Sequence, residues 1–352
     1  MQSIKAVSYF VHFQDNGYKK LSTLITENNY SSVFILVDEH TIEDCYPKFI
    51  SNLAIDTSIE LIEIESGEIN KNIETCVGVW NALTELHADR HSLLITLGGG
   101  VITDLGGFVA ATYKRGIDFV NIPTTLLSMV DASVGGKTGV DLGVLKNQVG
   151  LFANPEMVIV DADYLQTISP REIRSGTAEI IKYGLTYDVN LYHQIKESKN
   201  LDITTLIPRS IEIKNEVVLQ DPKEKNLRKI LNFGHTIGHA VESYFLESEH
   251  KETLTHGEAI AIGMICECFI SSEILEFPKD TLTEIKEVIL EIYGKINILE
   301  EDFDAIIELL KHDKKNVSGQ VNFVLLTDLE KTNIDCQVDN HLIKESLVYY
   351  IS

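Results

Sequence analysis

His235-Thr236-Ile237-Gly238-His239 sets two imidazoles four residues apart, which is one turn apart on a single face if the segment is helical. His256 heads a later run of small residues (Gly257, Ala259, Ala261, Gly263), and Glu179 lies in the earlier stretch Thr177-Ala178-Glu179-Ile180-Ile181-Lys182. Two histidines and a carboxylate with a fourth position left open are the donor set of a catalytic zinc ion, and cobalt suits the same donors. The spacing is superficially that of the H-E-x-x-H zinc proteases, but Thr236 follows His235, so the general-base glutamate of that motif is missing. A histidine pair alone is more often structural or exposed; the third histidine turns the reading toward a ligand set. Glu224, Arg228 and Asn232 recur at four-residue spacing with His235 three residues on. One helix face would then show an acid, a guanidinium, an amide and an imidazole, a polar concentration that is costly to bury without a ligand. A solvated helix face is the plainer alternative.

A second chemistry is suggested by glycine. Gly98-Gly99-Gly100-Val101-Ile102-Thr103-Asp104 follows a strand-like run, where glycines let the backbone approach a pyrophosphate seated at the next helix N-terminus. It is not a full G-x-G-x-x-G, because Thr103 takes the last glycine position, and an ordinary strand–turn–helix junction reads the same way. The turn Ser66-Gly67-Glu68, ending at Lys71, follows another strand; Asp38 closes a third, as a ribose ligand or as a helix cap. From Pro123-Thr124-Thr125 through Asp131 to Gly135-Gly136-Lys137-Thr138, and on to Lys146-Asn147, an acid and two lysines share what reads as one loop system.

These groups need elements to hold them. Residues 6–13, 33–37, 59–64, 93–97, 119–122 and 157–160 are short apolar or alternating runs, with a helical pattern over 73–86 between two of them. That alternation predicts βαβ units and a largely parallel sheet. Beyond residue 169 the pattern is helical over 170–183, 203–218, 229–245, 256–274, 279–293 and 301–311, with one strand-like piece at 321–326 in a late hairpin. The fold expected is α/β: an N-terminal Rossmann-like parallel-sheet domain over 1–167, then a mainly α-helical domain over 168–352. Two such domains would share a cleft.

Composition narrows the partners. The net charge of −23 opposes nucleic acid and anionic membrane, no apolar run nears the ~20 residues of a membrane span, and the opening Met1-Gln2-Ser3-Ile4-Lys5 lacks a secretory pattern. The five scattered cysteines read as free thiols of a cytoplasmic protein.

Taken together and in this order, the segments resemble the 3-dehydroquinate synthase family over most of the chain. They include Gly98–Ile102 with Asp104, Pro123–Leu127 through Asp131 to Thr138, Lys146-Asn147, and Gly176 through Glu179 to Gly184. Leu231-Asn232 with Gly234-His235-Thr236 and Gly238-His239, and His256-Gly257-Glu258-Ala259, complete the match. The resemblance implies zinc or cobalt on Glu179, His235 and His256, and NAD on Asp38, Gly67, Glu68, Lys71, Gly99, Gly100, Val101, Asp104, Thr124, Thr125, Lys137 and Lys146. It implies an anionic small-molecule substrate on Arg115, Asp131, Lys137, Asn147, Lys182, Lys214, Arg228, Asn232 and one of Lys314 and Lys315. Catalytic roles would fall to Glu224, His239 and Lys182, in a homodimer. The implied reaction is phosphate elimination from a heptulosonate phosphate with ring closure, NAD being reduced and reoxidised within one turnover. Another sugar phosphate cyclase of the 2-deoxy-scyllo-inosose synthase type, a metal-dependent polyol dehydrogenase, and an acidic binding scaffold are the alternatives.

Overall fold

The computed structural model describes residues 2–143, 145–198, 201–310 and 321–352, so Lys314 and Lys315 lie outside the described residues. The chain divides into two compact units. The first comprises residues 1–143, 147–169 and 214–219, and the second 144–146, 170–213 and 220–352. Two short segments therefore belong to the unit other than the one their place in the chain suggests.

The first unit is built on a seven-stranded sheet of order β1-β2-β9-β6-β5-β3-β4. Its strands are β1 (Ile4–Lys5), β2 (Phe10–Phe13), β3 (Val33–Asp38), β4 (Ile59–Ile64), β5 (Leu93–Gly98), β6 (Asp118–Pro123) and β9 (Met157–Val160). Every pairing is parallel except β1 with β2. The runs Val-Phe-Ile-Leu-Val in β3 and Leu-Leu-Ile-Thr-Leu in β5 are buried at every position, as strands covered on both faces must be. Of the strand expected over 6–13 only Phe10–Phe13 is in the sheet: Ala6 N–H donates to the Tyr9 carbonyl at 2.9 Å and closes a turn that links it to β1 at Ile4–Lys5.

Strand β3 is followed in sequence by β4 on one side, and the chain then returns to β5 on the other side of β3. The C-terminal ends of β3 and β5 thus flank the point where the winding reverses, the usual ligand crevice of an open α/β sheet. Asp38 ends β3 and Gly98 ends β5. The expected loop system after Gly135 is a two-stranded hairpin, β7 (Lys137–Leu142) with β8 (Leu145–Phe152). Lys137 opens its first strand and Lys146 lies in the second.

The second unit is mainly helical. Pro170–Thr186, Val189–Glu197, His235–Glu247, His256–Leu275, Lys279–Tyr293, Phe303–Leu310 and Asn340–Ile351 are its full-length helices, with the hairpin β10 (Asn322–Asp328) and β11 (Lys331–Gln337) beside them. Two expected helices are corrected. The one over 203–218 begins as a 3₁₀ turn (Ile203–Leu206) and becomes α-helical only at Ile207–Gln220. The one over 229–245 is broken: a 3₁₀ segment, Leu227–Asn232, precedes the α-helix His235–Glu247. Gly234 causes the break, at φ 78°, where a Cβ would meet Met264 Cγ at 2.6 Å.

Helix His256–Leu275 is the axis of this unit. It is buried almost all round, as an interior helix should be. Ile181, Phe233, Ile237, Val241, Ile260 and Met264 pack in its apolar core. At its first turn it approaches helix Pro170–Thr186 so closely that a Cβ on Gly257 would stand 2.1 Å from the Ser175 carbonyl oxygen. That approach brings the start of the His256 helix within a turn of Glu179.

Candidate active site

Helix Pro170–Thr186 carries Glu179, helix His235–Glu247 carries His235 and His239, and helix His256–Leu275 begins at His256. The Glu179 carboxylate is fully buried. Its Oε1 lies 3.4 Å from His235 Nε2 and 3.6 Å from His256 Nε2, and no hydrogen bond reaches it. Ligand atoms ~2.0–2.1 Å from a tetrahedral ion stand about 3.4 Å apart, so these separations fit donors around one metal. The ring nitrogens of His235, His239 and His256 also all lie within 4.8 Å of one another. A buried carboxylate oxygen without a hydrogen-bond donor calls for positive charge beside it, which makes Glu179 a candidate ligand together with the imidazoles.

The far side of each imidazole is arranged to match. His235 Nδ1 is 3.0 Å from the Phe233 carbonyl and His256 Nδ1 is 3.3 Å from Glu242 Oε2. A proton on each Nδ1 leaves each Nε2 lone pair free and aimed toward Glu179. The other Glu179 oxygen, Oε2, is taken by Lys182 Nζ. Glu242 also pairs with Lys146, Nζ to Oε1 at 3.2 Å. Burial would raise the Glu242 carboxyl, but Lys146 and His256 overcome it and hold the group far below the usual carboxylate range. Burial would likewise discharge His256, yet the Glu242 and Glu179 carboxylates lift it to about 10. The cluster thus demands positive charge, as a proton or as a metal ion. Glu242 was missed by reading the sequence, although it lies three residues from His239 on the same helical face.

Glu224, Arg228 and Asn232 do not share a helix face. Glu224 sits in a turn at φ 55°, and Arg228 and Asn232 lie in the 3₁₀ segment before the Gly234 break. Folding nonetheless joins two of them, since Asn232 Nδ2 donates to Glu224 Oε1 at 2.8 Å. Arg228 is fully buried, its Nη1 donating to the Pro222 carbonyl at 2.9 Å.

In the first unit, Gly99 caps helix Gly100–Thr112, giving the strand–turn–helix junction that the glycines suggested. Lys71 is buried beside it, with Nζ 2.7 Å from Asp104 Oδ2 and 2.8 Å from Asn147 Oδ1. Burial disfavours its charge, but Asp104, Glu68 and Asp141 hold the ammonium well above its ordinary value. Asn147 stands at φ 50°, fixed by its N–H donating to Asp141 Oδ1 at 2.6 Å. Asp131 lies in a π-helical turn, Ser128–Ala132, with Lys214 Nζ 2.8 Å from its Oδ1. Thr124 is buried and Thr125 Oγ1 accepts from Ser128 N–H, closing the turn after β6. Asp38 is an N-cap: Oδ1 accepts from His40 and Thr41 N–H in a reciprocal capping box with Thr41. Arg115 is the outlier, exposed just past the C-terminal end of helix Gly100–Thr112, the opposite end from Gly99 and Asp104.

All five cysteines are free thiols, and among the described residues no helix is long and apolar enough to cross a membrane. The N-terminal pattern of 3-dehydroquinate synthases matches residues 61–175 and the C-terminal pattern residues 176–316. A 3-dehydroquinate synthase of Parabacteroides distasonis is 40% identical over 336 residues, covering 94% of each chain. Among solved structures, a 2-epi-5-epi-valiolone synthase from Streptomyces hygroscopicus with NAD+ and Zn2+ bound superposes with TM-score 0.84 at 25% identity, over 100% of this chain and 99% of that one. A 2-deoxy-scyllo-inosose synthase complexed with carbaglucose-6-phosphate, NAD+ and Co2+ gives TM-score 0.82 at 24% identity, over 98% and 99%, which speaks for the fold. With the sheet winding, the histidine cluster and both domain patterns in agreement, the chain belongs to the 3-dehydroquinate synthase family.

Proposed function

We propose that this chain converts 3-deoxy-D-arabino-heptulosonate 7-phosphate to 3-dehydroquinate and phosphate, as an NAD- and metal-dependent carbon–oxygen lyase. The observation that carries the reading is the buried, donorless Glu179 Oε1 between two imidazole nitrogens at ligand spacing. Glu179, His235 and His256 would hold the zinc or cobalt ion, and Asp38, Gly67, Glu68, Lys71, Gly99, Gly100, Val101, Asp104, Thr124, Thr125, Lys137 and Lys146 would hold NAD. When bound, the ion supplies a Lewis acid for adjacent hydroxyls and NAD a hydride acceptor that is restored in the same turnover.

The chain's own groups do the rest. Oxidation of the substrate's C5 hydroxyl acidifies the neighbouring C6 proton, which permits phosphate to leave. Lys137, Lys182, Lys214 and Arg228, with Asp131, Asn147 and Asn232, bind and orient a substrate carrying both carboxylate and phosphate. Planar guanidinium and ammonium groups suit those anions, and a low local dielectric lets them outweigh the −23 net charge. Lys182, pinned to Glu179, orients the ligand carboxylate as well. His239 and Glu224 form the acid–base pair, taking and returning the hydroxyl protons that accompany oxidation and ring opening, with Asn232 holding Glu224 in place. The family kinship also supports a cytoplasmic homodimer, for which sedimentation at two chain masses is the check.

The test is phosphate release from the heptulosonate phosphate with and without a chelator. Phosphate should appear with no net NADH, and chelation should abolish it. Net NADH from a polyol would instead favour the dehydrogenase alternative, and cyclisation of glucose 6-phosphate an inosose synthase.

A further inference from the structure

Glu267 is a carboxylate in the interior of the second unit, 0% exposed, and no step of the reaction calls on it. It projects from helix His256–Leu275 onto the start of helix His235–Glu247. There Oε2 accepts from Gly234 N–H at 2.6 Å, and Oε1 accepts from Thr236 N–H at 3.1 Å and Ile237 N–H at 3.2 Å. Those amides flank His235 on both sides. Gly234 N–H is the group that the left-handed Gly234 conformation turns inward, and the same break leaves the Phe233 carbonyl 3.0 Å from His235 Nδ1.

A helix N-terminus leaves its first N–H groups unpaired and carries partial positive charge. A buried carboxylate is costly unless it meets several donors. Each therefore satisfies the other, and the geometry fits only one relative placement of the two helices. One of them carries His235 and His239, and the other begins with His256. A merely structural cap would ordinarily come from a residue at the helix's own N-cap, but Gly234 occupies that place and has no side chain.

We propose that Glu267 is a positioning residue of the metal site: it presets the His235 turn, and its register against the His256 helix, before any ion arrives. This rests on the metal reading above. It goes beyond that reading by placing part of the metal affinity in a carboxylate that touches neither ion nor substrate.

The experiment uses full-length protein stripped by chelator and then titrated with Co2+, following the visible d–d absorption, with Zn2+ affinity measured by competition against a chromophoric chelator. Wild type should bind one ion per chain. Glu267→Gln keeps the size but turns an amide NH2 toward one of the three N–H donors. It should bind the same number of ions at least about tenfold more weakly, with an altered cobalt spectrum. Wild-type affinity and spectrum in Glu267→Gln, with only a lowered melting temperature, would overturn the proposal. A second readout needs no variant: hydrogen exchange at Thr236 and Ile237 should be equally slow in metal-free and metal-loaded wild type. Fast exchange without metal, slowed on loading, would show that the ion and not Glu267 orders the turn. No metal bound by wild type would instead remove the underlying metal reading, and the proposal with it.

Discussion

Lys71 in the first unit and Glu179 in the second are both buried ionisable groups near tight turns, yet one is complete and the other is not. Lys71 Nζ has Asp104 at 2.7 Å, Asn147 at 2.8 Å and Glu68 at 3.9 Å, and two of these partners are themselves acids. Glu179 has Lys182 on one oxygen and nothing on the other, where two imidazole nitrogens face it at 3.4 and 3.6 Å. A cluster that satisfies itself holds its shape without a ligand, and a visiting ligand must compete with bonds already made. A buried carboxylate oxygen without a hydrogen-bond donor calls for positive charge beside it. The first cluster is a self-satisfied scaffold, and the second fits the metal centre proposed above.

The largest expected effect comes from making the incomplete cluster still less able to hold a cation. Glu179→Gln should lose bound metal and lower phosphate release by several kcal/mol in barrier, roughly a thousandfold or more. Plasma emission for metal and a phosphate assay would check this, and full metal content in the variant would erase the contrast drawn above. Lys71→Met attacks the complete cluster. It strands the buried Asp104 beside Glu68 and Asp141 without their shared ammonium and should cost about 3–5 kcal/mol of stability while leaving metal content unchanged. Urea unfolding and metal analysis on one preparation separate the two expectations.

A smaller effect is expected one shell out. Glu242→Gln weakens the acceptor of His256 Nδ1 and leaves Lys146 without its carboxylate. Metal affinity should fall about 10–100-fold, and equilibrium dialysis would reveal it. The smallest concerns pH. Arg171 Nε and Nη2 grip both oxygens of Glu258 at 2.8 and 2.7 Å, locking the capping box that starts the His256 helix. Burial would raise the Glu258 carboxyl, but Arg171 and the Thr255 N–H hold it below its ordinary 4.5. A depressed carboxyl contributes stability above its unfolded value, and that contribution is lost as the pH falls through the folded one. Wild type and Arg171→Met should therefore differ in melting temperature near neutrality and converge only as the pH falls through the depressed Glu258 value. With Arg171 38% exposed, the difference should stay under about 1 kcal/mol.

The histidine cluster was legible because its information is local: His235 and His239 lie one helical turn apart, and His256 heads a run of small residues. The parallel sheet was legible for the same reason, since β3 and β5 are apolar at nearly every position. The Glu224–Arg228–Asn232 face was misread because four-residue spacing assumes a continuous helix, whereas Glu224 sits in a turn at φ 55° and Arg228 and Asn232 lie in a 3₁₀ segment. The strand expected over 6–13 is shortened to Phe10–Phe13 by a turn that one backbone hydrogen bond closes.

By itself, then, the sequence determined which side chains could bind a metal and an anion, and that a parallel sheet would precede a helical unit. Periodicity and donor chemistry are properties of neighbours along the chain. Only the tertiary structure decided that Glu179 Oε1 would be left without a donor, that Glu242 would tie His256 to Lys146, and that Glu267 would reach the amides around His235. Each of those depends on how closely separate helices approach, which Gly257 and Gly234 permit by lacking a side chain, and close approach between distant segments leaves no period to read.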